Sequence, residues 1–116
     1  MTPINYDNRR FTSVSNSANG EVGAATVFEY HQDGALVWAT YRGGSIVYGT
    51  LIAKVDEQDC LDMRYQHLNA TGELMTGRCH STPEVLPDGR LRMHEQWQWT
   101  SGDGSTGSSV IEEIRD

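Results

Sequence analysis

The sequence predicts an all-β fold, an eight-stranded antiparallel up-and-down barrel formed as one domain by residues 1–116. Short β-rich runs separated by Gly, Asp and Asn turns recur about every ten residues, which is typical of all-β domains. No segment keeps the 3.6-residue period of an amphipathic helix. Hairpin-joined strands with one continuous apolar stripe favour closure, because closure removes the two exposed sheet edges. A two-sheet sandwich is the alternative fold.

Turn chemistry orders the strands and sets their register. Three-residue loops are predicted at residues 32–34, 57–59, 70–72 and 87–89, and Gly43-Gly44 is predicted as a two-residue hairpin loop. The predicted strands cover residues 10–16, 24–31, 35–42, 45–55, 60–69, 73–86, 90–100 and 107–114. The loops pair Arg42 with Ser45, Asp56 with Cys60, Asn69 with Glu73, and Leu86 with Arg90.

Because cross-strand partners share a face, this register predicts which side chains point inward. It places Gly49 opposite Trp38 and Gly77 opposite Trp99, a small residue across from each indole. For the last strand, either Val110 and Ile114 or Ile111 points inward. The predicted inward residues are Phe28, Tyr30, Leu36, Trp38, Thr40, Val47, Gly49, Leu51, Ala53, Val55, Leu61, Met63, Tyr65, His67, Met75, Gly77, Cys79, Ser81, Leu91, Met93, Glu95, Trp97 and Trp99.

An interior carboxylate is the most informative candidate for function. Glu is almost never buried without a partner, so Glu95 either lies near a rim beside Ser81 or anchors a ligand pocket. The predicted ligand-binding residues are Trp38, Tyr65, His67, Ser81, Glu95, Trp97 and Trp99. His67 lies three side-chain alternations from the row of Glu95, roughly 20 Å along the sheet, which argues against a catalytic pair.

Charge and composition exclude other classes of function. A net charge of −7 without a basic cluster disfavours nucleic acid and anionic membrane as partners. The histidines are scattered, so no metal site is predicted, and no phosphate loop feeds a helix, so no cofactor is predicted. Cys60 and Cys79 are out of register and are expected as free thiols, which agrees with a cytoplasmic location.

The same register predicts an apolar patch on the outside of strands three to five. The patch contains Val37, Ala39, Tyr41, Ile46, Tyr48, Ile52 and Leu68. A contiguous apolar surface is typical of an interface, so a homodimer or higher oligomer is expected through Tyr41, Ile46, Tyr48 and Leu68. Alternatively, a terminus or the segment 16–23 covers the patch.

Three stretches resemble a known family: Trp38-Ala39-Thr40-Tyr41-Arg42-Gly43-Gly44, Leu61-Asp62-Met63-Arg64-Tyr65-Gln66-His67 and Glu95-Gln96-Trp97-Gln98-Trp99. They are similar to small bacterial proteins often labelled N-acetylglutamate synthase, and the resemblance spans essentially the whole chain. It implies an avidin-like or lipocalin-like barrel. The sequence contains neither an acetyl-CoA motif nor a residue-by-residue match to the biotin-binding motifs of avidins, so the resemblance implies the barrel alone.

Three functions compete at this point. The first is a module that binds a small molecule in the barrel. The second is a small enzyme, such as an isomerase, cyclase or acyl-transfer enzyme, that uses Glu95 as its acid–base group. The third is an interaction protein with a solid interior that acts through its outer surface.

Overall fold

The protein is a closed antiparallel barrel, as the sequence predicts. The structure, a computed structural model, describes residues 3–115. The strands are β1 (Arg9–Asn16), β2 (Val27–Asp33), β3 (Leu36–Gly43), β4 (Ile46–Val55), β5 (Leu61–Asn69), β6 (Leu74–Val85), β7 (Leu91–Trp99) and β8 (Thr106–Glu113). Each strand pairs with the next, and β8 pairs back with β1. The described residues include no helix that is long and apolar enough to span a membrane.

The hydrophobic core lies inside the barrel and consists of side chains from all eight strands. Phe11, Tyr30, Leu61, Met93 and Ile111 are almost completely buried. Burying an apolar side chain of this size stabilises the fold by about 1.5–3 kcal/mol. Ile111 is therefore the inward residue of β8, which decides the alternative that the sequence left open.

The register of β4 to β7 is confirmed. Backbone hydrogen bonds join Asp56 to Cys60, Asn69 to Glu73, and Leu86 to Arg90. The loop residues Asp59, Gly72 and Gly89 have positive φ, as three-residue loops with a left-handed third position require. The predicted partners Gly77 and Trp99 face each other, as do Ser81 and Glu95.

The inward face predicted for β3 is wrong. Val37, Ala39 and Tyr41 are buried, whereas Leu36 and Trp38 are exposed and Thr40 is half-buried. The loops on both sides of β3 are Gly34-Ala35 and Gly44-Ser45, two residues each. The second loop pairs Gly43 with Ile46 instead of the predicted Arg42 with Ser45, and a register shift between Tyr41 and Gly43 then places Gly49 opposite Tyr41 instead of Trp38. This displacement by three residues, an odd number, exchanges the two faces of β3.

The start of β4 also differs from the predicted inward face. The register shifts between Ile46 and Tyr48, so that Ile46 points inward and Val47, predicted inward, is exposed. The predicted interface residues Tyr41 and Ile46 are therefore core residues and cannot form an outer contact. Tyr48 is exposed as predicted, and Leu68 is half-buried.

One end of the barrel is closed by the chain that precedes β1. Tyr6 is fully buried, and its hydroxyl donates to the carbonyl of Asp59 in the β4–β5 loop. The backbone amide of Tyr6 donates to Gln32 Oε1 at 2.7 Å. The remaining route into the barrel is at the opposite end, where the β1–β2 connection lies.

Candidate functional site

The β1–β2 connection, residues 17–26, folds over the second end of the barrel and is called the mouth segment here. Trp99 Nε1 donates to the carbonyl oxygen of Asn19 at 3.0 Å. Asn19 Nδ2 in turn donates to the carbonyl oxygen of Thr106 at 2.9 Å. Asn16 Nδ2 donates to the carbonyl oxygen of Val22 at 3.0 Å. These bonds tie the mouth segment to the rim strands.

Beneath the mouth segment lies a cavity of about 50 Å³. At about 30 Å³ per water molecule in the liquid, this volume has room for one or two water molecules. The interior is thus not packed solid. Its aromatic wall consists of Phe28, Tyr41, Tyr65, Trp97 and Trp99.

Three of these rings lie over glycines on the neighbouring strand. A methyl group at Gly49 would lie 2.4 Å from the ring of Tyr41, one at Gly77 2.2 Å from the ring of Tyr65, and one at Gly107 2.4 Å from the ring of Trp97. Each pair is also a cross-strand pair. The absence of a Cβ is what lets each ring lie against the barrel wall and leaves space at the centre.

Glu95 points into this cavity from the middle of β7. Its side chain is buried and accepts hydrogen bonds from Ser109 Oγ at 3.1 Å and Ser81 Oγ at 3.4 Å. Burial raises the pKa of Glu95 to about 7, and the two serine bonds offset that effect only in part. Glu95 is therefore an interior carboxyl that is near its titration point at neutral pH, not a wet rim residue.

A second polar group lies where the cavity meets the mouth segment. His67 is buried, and its Nδ1 lies 2.8 Å from the Tyr41 hydroxyl while its Nε2 lies 2.8 Å from Glu21 Oε1. Asn69 Nδ2 donates to Glu21 Oε2 at 3.1 Å. The Tyr41 hydroxyl also donates to the carbonyl oxygen of Gln66 at 3.3 Å, so that His67 lies in a polar network that joins β3, β5 and the mouth segment.

Comparison with known proteins identifies the architecture. A family model described as "Avidin-like protein" matches residues 4–114. The chain belongs to the avidin-like family. No curated protein and no solved structure matched it. The avidin-like resemblance inferred from the sequence is thereby confirmed.

One predicted site residue of this avidin-like barrel lies elsewhere. Trp38 is on the outer face of β3, 39 % exposed, with its ring 5.6 Å from that of His31. The other predicted site residues project inward: Tyr65, His67, Glu95, Trp97 and Trp99 line the cavity, and Ser81 is buried beside Glu95. Trp38 lies on the outside because the inward and outward faces of β3 are the reverse of those predicted.

Sequence reasoning missed several lining residues of the avidin-like cavity. Asn16 and Glu21 come from the mouth region, and Tyr41 was placed outside. Ser109 is the cross-strand partner of Glu95. It would have been predicted as a lining residue if the sequence had fixed the register of β8. Glu21 has no sequence signal, because its position depends on how the mouth segment folds across the barrel.

His67 and Glu95 line the same cavity but are not partners. His67 binds Tyr41 and Glu21, whereas Glu95 binds the two serines.

The remaining reactive groups do not extend the site. Both cysteines are free, as expected, and burial together with the charge of Glu95 raises the pKa of the Cys79 thiol. Such a thiol is a poor nucleophile because the thiolate is the reactive form. Among residues 3–115, no three His, Cys, Asp or Glu side chains are grouped so that they could hold a metal ion.

Proposed function

We propose that this avidin-like barrel binds one small molecule in the cavity between Glu95 and the mouth segment. The observation that supports the proposal is a cavity in a closed barrel, walled by aromatic rings, with one buried carboxyl. Ligand sites in proteins are typically apolar cavities with a few convergent polar groups. An eight-stranded barrel has room for one small ligand.

The polar groups of the cavity favour binding over a purely structural role. A buried carboxyl destabilises a core unless it is paired, and two serine hydroxyls compensate Glu95 only in part. Asn16 Oδ1 is buried without a hydrogen-bond partner and belongs to a residue that lines the cavity. A ligand that donates hydrogen bonds would satisfy both groups.

The test is a thermal-shift and tryptophan-fluorescence screen with small neutral, cationic and anionic organic molecules. A molecule present at a hundred times its dissociation constant stabilises the protein by about 3 kcal/mol, or about 10 °C in Tm for a domain of this size. Cys79→Met adds bulk inside the cavity and should abolish the shift. Cys60→Met, the same change outside the cavity, should preserve it.

Two results would contradict the proposal. The first is a screen in which no compound moves Tm or the fluorescence. The second is a ligand whose shift persists unchanged in a folded Cys79→Met variant.

The same carboxyl favours a second candidate function. A pKa of about 7 suits a general acid or base at neutral pH, so Glu95 would serve a small isomerase, cyclase or acyl-transfer enzyme. Each compound found in the screen is tested for turnover. If the wild type converts it and Glu95→Gln binds it without converting it, the enzyme is favoured. Binding without turnover in the wild type favours the binding module.

Self-association is proposed through a corrected outer surface. Trp38 and Ile52 are cross-strand partners on the outside of β3 and β4, and Tyr48 lies further along β4; all three are 39–56 % exposed. Large apolar side chains that share one face of a sheet suit a two-fold contact, in which the same surface meets itself.

A further inference from the structure

We propose that the cavity accepts a small organic cation, an ammonium head group held against aromatic rings with Glu95 and Glu21 as its counter-charges. The proposal rests on the proposed function and names the chemical class of the ligand. Three features support it: the arrangement of the rings, the sign of the charges and the unpaired acceptor.

The aromatic rings surround the cavity from several directions. Trp97 meets Trp99 at 61°, and Tyr65 meets Trp99 at 70°, with ring centroids 5.5 and 5.8 Å apart. On the other side, the ring of Phe28 stacks on Tyr41 at 4.9 Å. Cations bind in such aromatic cages because the face of each ring carries negative potential.

The charges of the cavity have one sign. Glu95 lies at its inner end, and Glu21 lies at the mouth. Neither a lysine nor an arginine lines the cavity within residues 3–115. A cation in the cavity would therefore lie near two acidic side chains and would contact neither a lysine nor an arginine of its lining.

The hydrogen bonds to these carboxyl groups come from hydroxyl, amide and imidazole groups. Glu95 is bound by the hydroxyls of Ser81 and Ser109, and Glu21 by the amide of Asn69 and by Nε2 of His67. No lysine or arginine among the residues that line the cavity balances either carboxyl group. A bound ammonium would supply the missing positive charge in a site of low dielectric constant, where the attraction is strong.

Size limits the head group. A cavity of about 50 Å³ restricts the part of the ligand inside it to a compact head group. The unpaired Oδ1 of Asn16 offers a further acceptor on the side of the mouth segment. A longer tail on the ligand would have to leave the barrel past residues 17–26.

The test compares choline with 3,3-dimethylbutan-1-ol, its uncharged isostere, by titration calorimetry and thermal shift at matched ionic strength. We expect choline to bind at least about tenfold more tightly than the isostere, because only the cation gains from the rings and carboxylates. Glu95→Gln and Glu21→Gln should each reduce that preference. Glu57→Gln, at an exposed loop position far from the mouth, should leave it unchanged.

The outcomes separate the two proposals. If the isostere, or another uncharged or anionic compound of the screen, binds as tightly as choline or more tightly, the cation proposal is overturned and small-molecule binding stands. The cation proposal is likewise overturned if a folded Glu95→Gln and a folded Glu21→Gln both keep the full preference. If no compound binds at all, both proposals fail.

Discussion

Glu21 Oε1 lies 2.8 Å from Nε2 of the buried His67, so a residue of the mouth segment is bound to a strand in the barrel wall. The second oxygen of Glu21 is held by Asn69. Because the contact joins the β1–β2 connection to β5, it fixes the mouth segment over the cavity. Both Glu21 and His67 also line the cavity.

Glu21→Ala should loosen the mouth segment. The change removes the partner of the buried His67 Nε2 and leaves Asn69 Nδ2 with only Glu73 Oε1, at 3.4 Å, so we expect a cost of about 1–3 kcal/mol. Hydrogen exchange should accelerate at backbone amides of residues 17–23, with little change in β4 to β7. Glu57→Ala is the matched control. Unchanged exchange in the mouth segment would show that Glu21 does not hold it.

Glu95 should make stability fall as the pH rises. Burial raises its pKa from 4.5 to about 7, so the folded state favours the protonated carboxyl. This contribution is fully present below pH 4.5 and is lost as the pH rises through about 7. At about 1.4 kcal/mol per unit of pKa difference, this contribution of Glu95 to the free energy of unfolding is roughly 3 kcal/mol.

Thermal and urea unfolding between pH 5 and pH 9 measures this effect. Glu95→Gln should match the wild type near pH 5 and be more stable than it above pH 8. Taking the difference between the two proteins removes the contribution of surface carboxyls. Parallel stability curves would contradict a raised pKa at Glu95.

Gly77→Ala should displace the ring of Tyr65 from the barrel wall. The added methyl group would lie 2.2 Å from the Tyr65 hydroxyl, so the ring must swing away from β6. We expect a loss of about 1–3 kcal/mol, measured by urea unfolding, together with weaker ligand binding. Gly23→Ala, where a methyl group meets no atom within 4 Å, is the control and should be close to neutral. Equal stabilities of the two variants would contradict this packing.

Tyr48→Glu should yield a folded monomer. Tyr48 is 50 % exposed beside the outer apolar residues of β3 and β4, and a carboxylate there would repel its copy across a two-fold contact. Light scattering should give twice the chain mass of 12.9 kDa for the wild type and the single mass for the variant. Gln96→Glu, exposed on the outside of β7, should remain a dimer. A wild type that is monomeric, or a variant of unchanged mass, would refute the interface.

The sequence by itself determined the strand number and much of the inward face. The loops 57–59, 70–72 and 87–89 each end in a residue with positive φ, and this local conformation fixes how many residues separate the paired positions. From those pairings follow the inward positions of Tyr65, His67 and Glu95 and the contact of Ser81 with Glu95. Local turn chemistry was sufficient because each hairpin involves only neighbouring strands.

Only the tertiary structure decided the face of β3. The hairpin before β4 offers two consecutive glycines, Gly43 and Gly44, and both take positive φ. A methyl group at Gly43 would lie 2.0 Å from the carbonyl oxygen of Ala25, so the loop position depends on a contact with the mouth segment. Turn chemistry within the hairpin cannot report such a contact. Nor does it report the register shift between Tyr41 and Gly43, which makes the total displacement odd and turns Tyr41 inward in place of Trp38.

The interior carboxylate and the aromatic rings were thus visible in the sequence, whereas their partners were not. Ser109 comes from β8, the strand after β7, whose inward face the sequence left open. Tyr41 and Glu21 come from β3 and the mouth segment, which are distant from β7 along the chain. Barrel closure and the path of residues 17–26 bring them together. The sequence determined what lies on the strands that its turns could align, and the closed barrel decided which groups from other strands meet Glu95 and His67.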